Sequence, residues 1–367
     1  MSRILINHFS PIPNKITGIS VYTWQIVSAL LRHGKNEYVL STNWDREHLP
    51  ELITGTGMEV VTRQVPANET AALFRNTLDL PPLMARLGCS AVFHPQPTSM
   101  IARMKKSVVV IHDLYRVTHP DLHSWKQRVQ WHYFTAFGFR QAGALIAVSG
   151  ATRDAVVAAY PEVAPRTFVV HEASPVERPT DAPPRAPATP PYGLMVANIT
   201  PNKNVKLLIQ ALGLLAQKGI RPKVNLVGRD EFGVLPSLLS SVPSLDLHQL
   251  GAVPDDRLRE LYAQATVYIN TSFVEGFCLP ILEAHTFSTP VICSDLPVLR
   301  EVAGDGALFV DPHRPDDLAE AIRRVFSDGA LAAQLSEAAT RNAARFSWEK
   351  AARETEAVLD RVIAAQE

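Results

Sequence analysis

Cysteine is scarce in this 367-residue chain: Cys89, Cys278 and Cys293 are odd in number and widely spaced. That excludes a disulfide scaffold and fits no Cys/His zinc site, so reduced, mostly buried thiols of a cytoplasmic protein are expected. Long apolar runs are missing as well. No stretch of about 18 hydrophobic residues offers a membrane span, and "MSRILINHFS" enters a strand pattern without the apolar core of a signal peptide. No GxGxxG follows a strand-like segment, which disfavours a dinucleotide dehydrogenase, and no DxD sequence is present to hold a metal. Basic tracts interleaved with aromatics are absent too, so nucleic acid is not an expected partner. Charge of one sign is also lacking, since 36 Lys and Arg balance 36 Asp and Glu. The balance is uneven along the chain: residues 1–172 carry 17 basic against 12 acidic side chains, residues 173–367 carry 19 against 24. A basic first half suits an anionic partner, such as a phosphorylated acceptor or a peripheral contact with a membrane's inner face.

What is present is a globular composition, 46% hydrophobic and 20% charged, at a length that favours two domains over one. The composition breaks at "ASPVERPTDAPPRAPATPPY", 173–192, where seven prolines in twenty residues forbid a helix or central strand. This is the expected linker. Before it, "RILINHF", "YVLSTN", "AVFHP", "SVVVIHD" and "GALIAVS" read as strands, with "ISVYTWQIVSALLRHG" and "SWKQRVQWHYFTAFGFRQA" as helical stretches between them. After it, "YGLMVANI", "KVNLVG", "LDLHQLG", "TVYINTS", "PVICSD" and "ALFVD" read as strands, and "NVKLLIQALGLLAQKG" as a helix closed by Gly219. Alternating short strands and amphipathic helices predict an α/β protein of two Rossmann-like domains facing across a cleft.

Ligands in such sheets bind beyond the carboxyl ends of the strands. There, "FVEGFCLPILEA" sets Glu275 and Glu283 around a helix start with Pro280 in its first position. The amides of Phe277, Cys278 and Leu279 then face outward at the positive end of the helix dipole, a setting that attracts an anion, and Gly276 lets a ligand approach the backbone. Carboxylates only accept hydrogen bonds, so Glu275 outside the helix and Glu283 in its first turn suit sugar hydroxyls on either side of a phosphate. A nucleotide-sugar has that layout. The other reading makes Glu283 a partner of the helix dipole and Glu275 a surface residue. Lys203 in "NITPNKN" and Arg229 after "VNLVG" are candidate cations for a departing diphosphate, Lys203 the better placed. His112 and Asp113 end a strand of the first half and either contact a reacting sugar or serve structure, and Ser149 or Gly150 reads as a helix cap.

With these residues placed, the chain resembles the retaining glycosyltransferases of family 4, which have the glycosyltransferase-B (GT-B) fold. The likeness runs over nearly the whole chain, through "IHDL", "AVSGATRD", "TPNKN", "VPDDRLRELYAQA", "EGFCLPILE" and "SDLPVLREVAGDGALFVDP". It implies an acceptor-binding domain at 1–175, a donor domain at 176–348 and a terminal helix at 349–367 that crosses back to the first domain. It also implies that Glu283 binds the donor ribose, that Glu275 binds the hexose, and that the amides of Phe277, Cys278 and Leu279 hold the sugar and distal phosphate. Lys203 offsets the diphosphate charge, His112 lies beside the donor sugar, Gly18 lets the N-terminal loop approach it, and Val253 lies near the base. Two departures stand out. Ala197-Asn198 and Asn202-Lys203 replace the Gly-Arg and Arg-Lys of many members, so Asn198 stands where a phosphate-binding arginine would, and Cys278 replaces a glycine.

The implied reaction moves a hexose from a nucleoside diphosphate sugar to an acceptor hydroxyl with retention of configuration and without metal or other cofactor. "NITPNKN" and "IHDL" resemble mannosyl- and rhamnosyl-transferring relatives, which points to GDP-mannose as donor and a lipid-linked oligosaccharide of surface polysaccharide assembly as acceptor. The alternatives are a UDP-sugar donor, or a catalytically weak nucleotide-sugar-binding protein of the same fold.

Overall fold

The computed structural model describes residues 1–10, 13–64, 69–96, 105–118, 125, 136–178, 185–240, 242 and 245–365. The chain divides into two units: Met1–Ala173 with Ser347–Glu367, and Ser174–Phe346. In the first, seven strands form one parallel sheet in the order β3-β2-β1-β4-β5-β6-β7. They are β1 (Arg3–His8), β2 (Glu37–Thr42), β3 (Glu59–Thr62), β4 (Ala91–His94), β5 (Ser107–Ile111), β6 (Ala144–Ala147) and β7 (Thr167–Val169). The order turns between β1 and β4, as in a doubly wound sheet, and the inner strands are apolar on both faces because helices cover both.

Five of these strands match the sequence expectation. The two it lacks, β3 and β7, are the edges of the sheet. Only four and three residues long and paired on one side, they carry too little apolar pattern to stand out. The helix Gly18–His33 begins at a capping box in which Thr17 and Ser20 bond each other's backbone N–H. Of the expected helix over 124–142, all but Trp125 and residues 136–142 lies outside the described residues; Ala136–Gln141 is helical. The terminal helix Trp348–Ala364, capped by Ser347, belongs to this unit. Its buried Glu356 accepts from Lys35 N (2.6 Å), Asn36 N (3.0 Å) and Tyr38 Oη (2.8 Å), tying it to the start of β2.

The second unit is a six-stranded parallel sheet in the order β10-β9-β8-β11-β12-β13. Its strands are β8 (Tyr192–Val196), β9 (Lys223–Val227), β10 (Leu247–Gly251), β11 (Val267–Asn270), β12 (Val291–Ser294) and β13 (Ala307–Val310). The helix Val205–Gln217 buries Leu208, Ile209, Ala211, Leu212 and Leu215 in a core shared with Leu226, Ile269 and Ile322. Cutting one of these leucines to alanine costs about 2–5 kcal/mol. Lys218, not Gly219, is the C-cap; Gly219 follows at φ +77°, and Ile220 N returns to Leu215 O at 3.0 Å. Among the described residues no helix is long and apolar enough to cross a membrane.

Candidate active site

In the second unit the strand order reverses between β8 and β11, the switch point at which doubly wound sheets leave a crevice. The segments leaving these two strands are stapled together: Phe273 N donates to Asn202 O at 2.8 Å, and Thr271 Oγ1 to Lys203 O at 2.8 Å. Asn204, left-handed at φ +49°, turns the chain from the short 3-10 turn Pro201–Lys203 into the following helix. The staples bring Lys203 Nζ to 2.6 Å from Glu275 Oε1.

That oxygen carries a heavy load. Ser272 Oγ also donates to Glu275 Oε1 at 2.7 Å, and Asn270 Nδ2 stands 3.5 Å away. All three donors use Oε1, which leaves Oε2 for a ligand. The pair is only partly open to water, with 26% of the Lys203 side chain and 11% of that of Glu275 exposed, so its charges are screened less than those of a surface pair.

The helix after Glu275 runs Leu279–Thr286. It starts one residue earlier than the sequence suggested, with Pro280 second, and Glu283 therefore lies in the second turn rather than the first. Proline costs nothing at either opening position, so residue preference alone does not fix the start. Cys278 caps the helix in the left-handed region at φ +80°, ψ +67°, with its thiol at 3.3 Å from Asn270 Nδ2. The helix start leaves the N–H groups of Cys278 and Leu279 without intrahelical partners. Phe277 is a core residue, its ring edge-on to Phe346 at 5.8 Å, and Gly276 is buried beside it.

Glu283 Oε2 accepts from the buried Tyr262 hydroxyl at 2.6 Å. Burial raises its pKa to about 7, against the lowering effect of that hydrogen bond. The loops after β8 and β9 are joined through Asn198, whose Oδ1 accepts from Arg229 N at 3.1 Å while its amide reaches Glu231 at 3.1 Å. The exposed Arg229 guanidinium has no ion-pair partner among the described residues. Val253 is half-buried in the loop between β10 and the helix Asp255–Gln264.

In the first unit His112 follows β5 directly. Its Nε2 donates to Pro95 O at 2.8 Å, and its Nδ1 meets Glu172 Oε1 at 3.0 Å. Burial is the largest influence on this imidazole and opposes the charge, but the Glu172 hydrogen bond and charge, the Pro95 carbonyl and Asp113 together raise its pKa. Tyr22 lies edge-on at 4.7 Å. Asp113 Oδ1 accepts from Tyr115 N at 3.0 Å, and Ser149 caps the helix Gly150–Ala159. A side chain at Gly18 would meet nothing within 4 Å, so its own unit does not require glycine there.

The site thus gathers Lys203, Glu275, Cys278 and Leu279 at the switch point, with Glu283 on the helix behind. Sequence reasoning missed Asn270, Ser272, Tyr262 and Glu172. The first two lie at the end of the strand segment "TVYINTS", which stops three residues short of Glu275, a position that marks them; Tyr262 and Glu172 are brought in by packing and carry no local signal.

Two family models match the chain, one described as Glycosyltransferase Family 4 over residues 16–178 and one as Glycosyl transferases group 1 over 177–342. The O-antigen chain mannosyltransferase B of Escherichia coli is 28% identical over 282 residues, 72% of this chain and 72% of that protein. Two solved structures share the fold at a TM-score of 0.74 and 18% identity: sucrose-phosphate synthase from Thermosynechococcus elongatus and Anabaena HepE in complex with UDP and glucose. Each alignment covers 98% of this chain, with 99% and 100% of the respective neighbour. The chain belongs to the family 4 glycosyltransferases, with the two Rossmann-like domains of the GT-B fold. Its activity is that of a glycosyltransferase, and its resemblance within the family is to the mannosyltransferases of O-antigen synthesis.

Proposed function

We propose that the protein transfers mannose from GDP-mannose to a hydroxyl of a lipid-linked oligosaccharide in surface polysaccharide assembly, with retention of configuration. The observation that carries this reading is the clamped Glu275, with one oxygen on Lys203 and Ser272 and the other available, at the switch point beside a helix start. Similarity to an O-antigen mannosyltransferase supports the choice of sugar and pathway.

In this mechanism the donor diphosphate meets Lys203, Arg229 and the amides of Cys278 and Leu279. Glu275 Oε2 accepts from hexose hydroxyls and Glu283 from the ribose. As the bond from the anomeric carbon to the phosphate oxygen breaks, the acceptor oxygen bonds that carbon on the same face. The acceptor proton passes to the departing phosphate oxygen, and nucleoside diphosphate leaves. No protein nucleophile is required, and the fixed cation and helix dipole carry the leaving-group charge that a metal would otherwise carry. Recognition of the acceptor falls to the first unit.

A thermal-shift screen of nucleoside diphosphates and their sugars tests the donor, since a ligand at about 100 times its Kd adds roughly 2.7 kcal/mol. GDP and GDP-mannose should raise the melting temperature most. A larger shift with UDP or UDP-glucose, ligands of the fold neighbour HepE, would overturn GDP-mannose in favour of a UDP-sugar. GDP-mannose binding without GDP release in the presence of a lipid-linked acceptor would refute the transfer and leave a sugar-nucleotide-binding protein.

A further inference from the structure

The first unit carries a concave site at the end of its sheet opposite the carboxyl ends that hold His112. A cavity of about 590 Å³ opens at the amino ends of β5, β6 and β7, where Lys105 precedes β5, Gln141 to Gly143 lead into β6 and Arg166 precedes β7. Its volume falls within the roughly 300–1,000 Å³ of small-molecule sites. Four of its lining residues, Lys105, Arg140, Arg166 and Arg361, are basic and none is acidic.

These cations are only partly neutralised. Glu162 pairs with Arg140 at 2.5 Å. The Arg166 guanidinium is held by neutral carbonyls instead: Nη2 donates to Arg140 O at 2.9 Å, Nη1 stands 3.5 Å from Glu162 O, and the buried Nε has no partner. Arg361 stacks over the Phe168 ring at 5.1 Å, and Lys105 is exposed, with no carboxylate partner among the described residues. Pinned guanidinium forks converging from separate elements are pre-organised for an oxyanion. Gly143 belongs to the construction, since a Cβ there would stand 2.1 Å from Lys105 O and force the two segments apart.

We infer that this cavity is a binding site for a phosphate-bearing anion, separate from the glycosyl-transfer site and built on Arg166 and Arg361. The phosphate belongs either to a soluble phosphate ester or to a lipid headgroup. The inference stands apart from the donor chosen above, because none of the cavity's residues is among those assigned to donor binding.

The test uses the full chain, the double variant Arg166→Gln/Arg361→Gln, and a charge-matched control, Arg259→Gln/Arg323→Gln, on the second unit. Calorimetric titration with inorganic phosphate and sn-glycerol 3-phosphate reads the soluble arm. Sedimentation with phosphatidylcholine vesicles, with and without phosphatidylglycerol, reads the lipid arm. The pocket variant should lose about tenfold or more in affinity for one of these probes, while the control and the rate of sugar transfer to a soluble acceptor stay unchanged. Loss confined to phosphate esters assigns a soluble ligand, and loss confined to anionic vesicles assigns a headgroup. Equal binding of every probe by the wild type and the pocket variant, with unfolding curves showing both folded, overturns the site.

Discussion

At the carboxyl edge of the second unit's sheet, Glu275 meets Lys203 through Oε1 and keeps Oε2 clear of the donors gathered there, whereas at the same edge of the first unit His112 commits both ring nitrogens to Glu172 and Pro95. Both sheets are parallel, doubly wound and reversed in order near the middle. The difference lies in how charge is left at the strand ends. In the second unit the charge is held in an ion pair whose carboxylate keeps Oε2 clear of the three donors on Oε1. In the first a buried imidazole has both ring nitrogens engaged by protein groups, one by the Glu172 carboxylate and one by the Pro95 carbonyl.

The largest expected effect separates these roles. Glu275→Gln should cut turnover by about 10²–10³, the scale for loss of a pre-organised electrostatic group, and should lower the melting temperature less than the next variant, because Lys203 keeps 26% of its side chain in water and Ser272 and Asn270 still have an oxygen to bond. Glu172→Gln should do the reverse. It strips a carboxylate from a buried imidazole, and a broken buried pair costs about 3–5 kcal/mol of stability. The pH dependence carries the same sign. With its folded pKa raised above 6.5, His112 contributes stability that is complete below the unfolded value and lost as pH rises through the folded one. Denaturant unfolding across that range should show this decline in the wild type and lack it in Glu172→Gln. Equal losses of turnover and stability in both variants would erase the distinction between the two edges.

A middling effect is expected where the second unit is itself buried. Glu283 titrates near 7 in the free protein because burial disfavours its charge. Its folded pKa exceeds the unfolded one, so the folded state loses stability as pH climbs from about 4.5 to about 7. If Glu283 accepts from the donor ribose as proposed, binding needs its charged form, so the donor KM should fall as pH rises through about 7, and Glu283→Gln should flatten the profile. Tyr262→Phe removes the hydrogen bond that lowers this pKa. The midpoint of the KM profile should move to higher pH, with KM near neutrality up severalfold and kcat held. A midpoint unmoved by Tyr262→Phe would leave the tyrosine a packing residue only.

The parts of this molecule legible in the sequence are those whose signals are local. β1, β2, β4, β5 and β6 are buried runs bounded by turns, and "EGFCLPILE" contains its own glycine, proline and carboxylates. β3 and β7 escape because EVVT and TFV are too short to show a pattern, whereas the edge strands β10 and β13 lie in segments long enough to read. The tie between Tyr262 and Glu283 escapes because it depends on how the helix Asp255–Gln264 lies on its neighbour, 21 residues away in sequence. The closure of His112 is likewise invisible, since Glu172 lies 60 residues on, beyond β7. Chemistry at a strand end is readable; its partners across the fold are not.

The smallest expected effect concerns backbone rather than charge. Cys278 holds φ +80°, a region that costs a residue with a Cβ about 1–2 kcal/mol and glycine almost nothing. Cys278→Gly removes that strain but frees the unfolded chain and gives up the Asn270 contact with the thiol, so the net change should be within about 1 kcal/mol. Burial also raises the thiol pKa well above its usual value, so the side chain stays neutral at the helix start. Its removal should therefore widen access to the amides of Cys278 and Leu279 without altering local charge. Donor KM should fall about twofold to threefold while kcat holds. A rise in KM would mean that the thiol, through Asn270, helps set the carboxylate of Glu275, and would extend the clamp on that residue by one member.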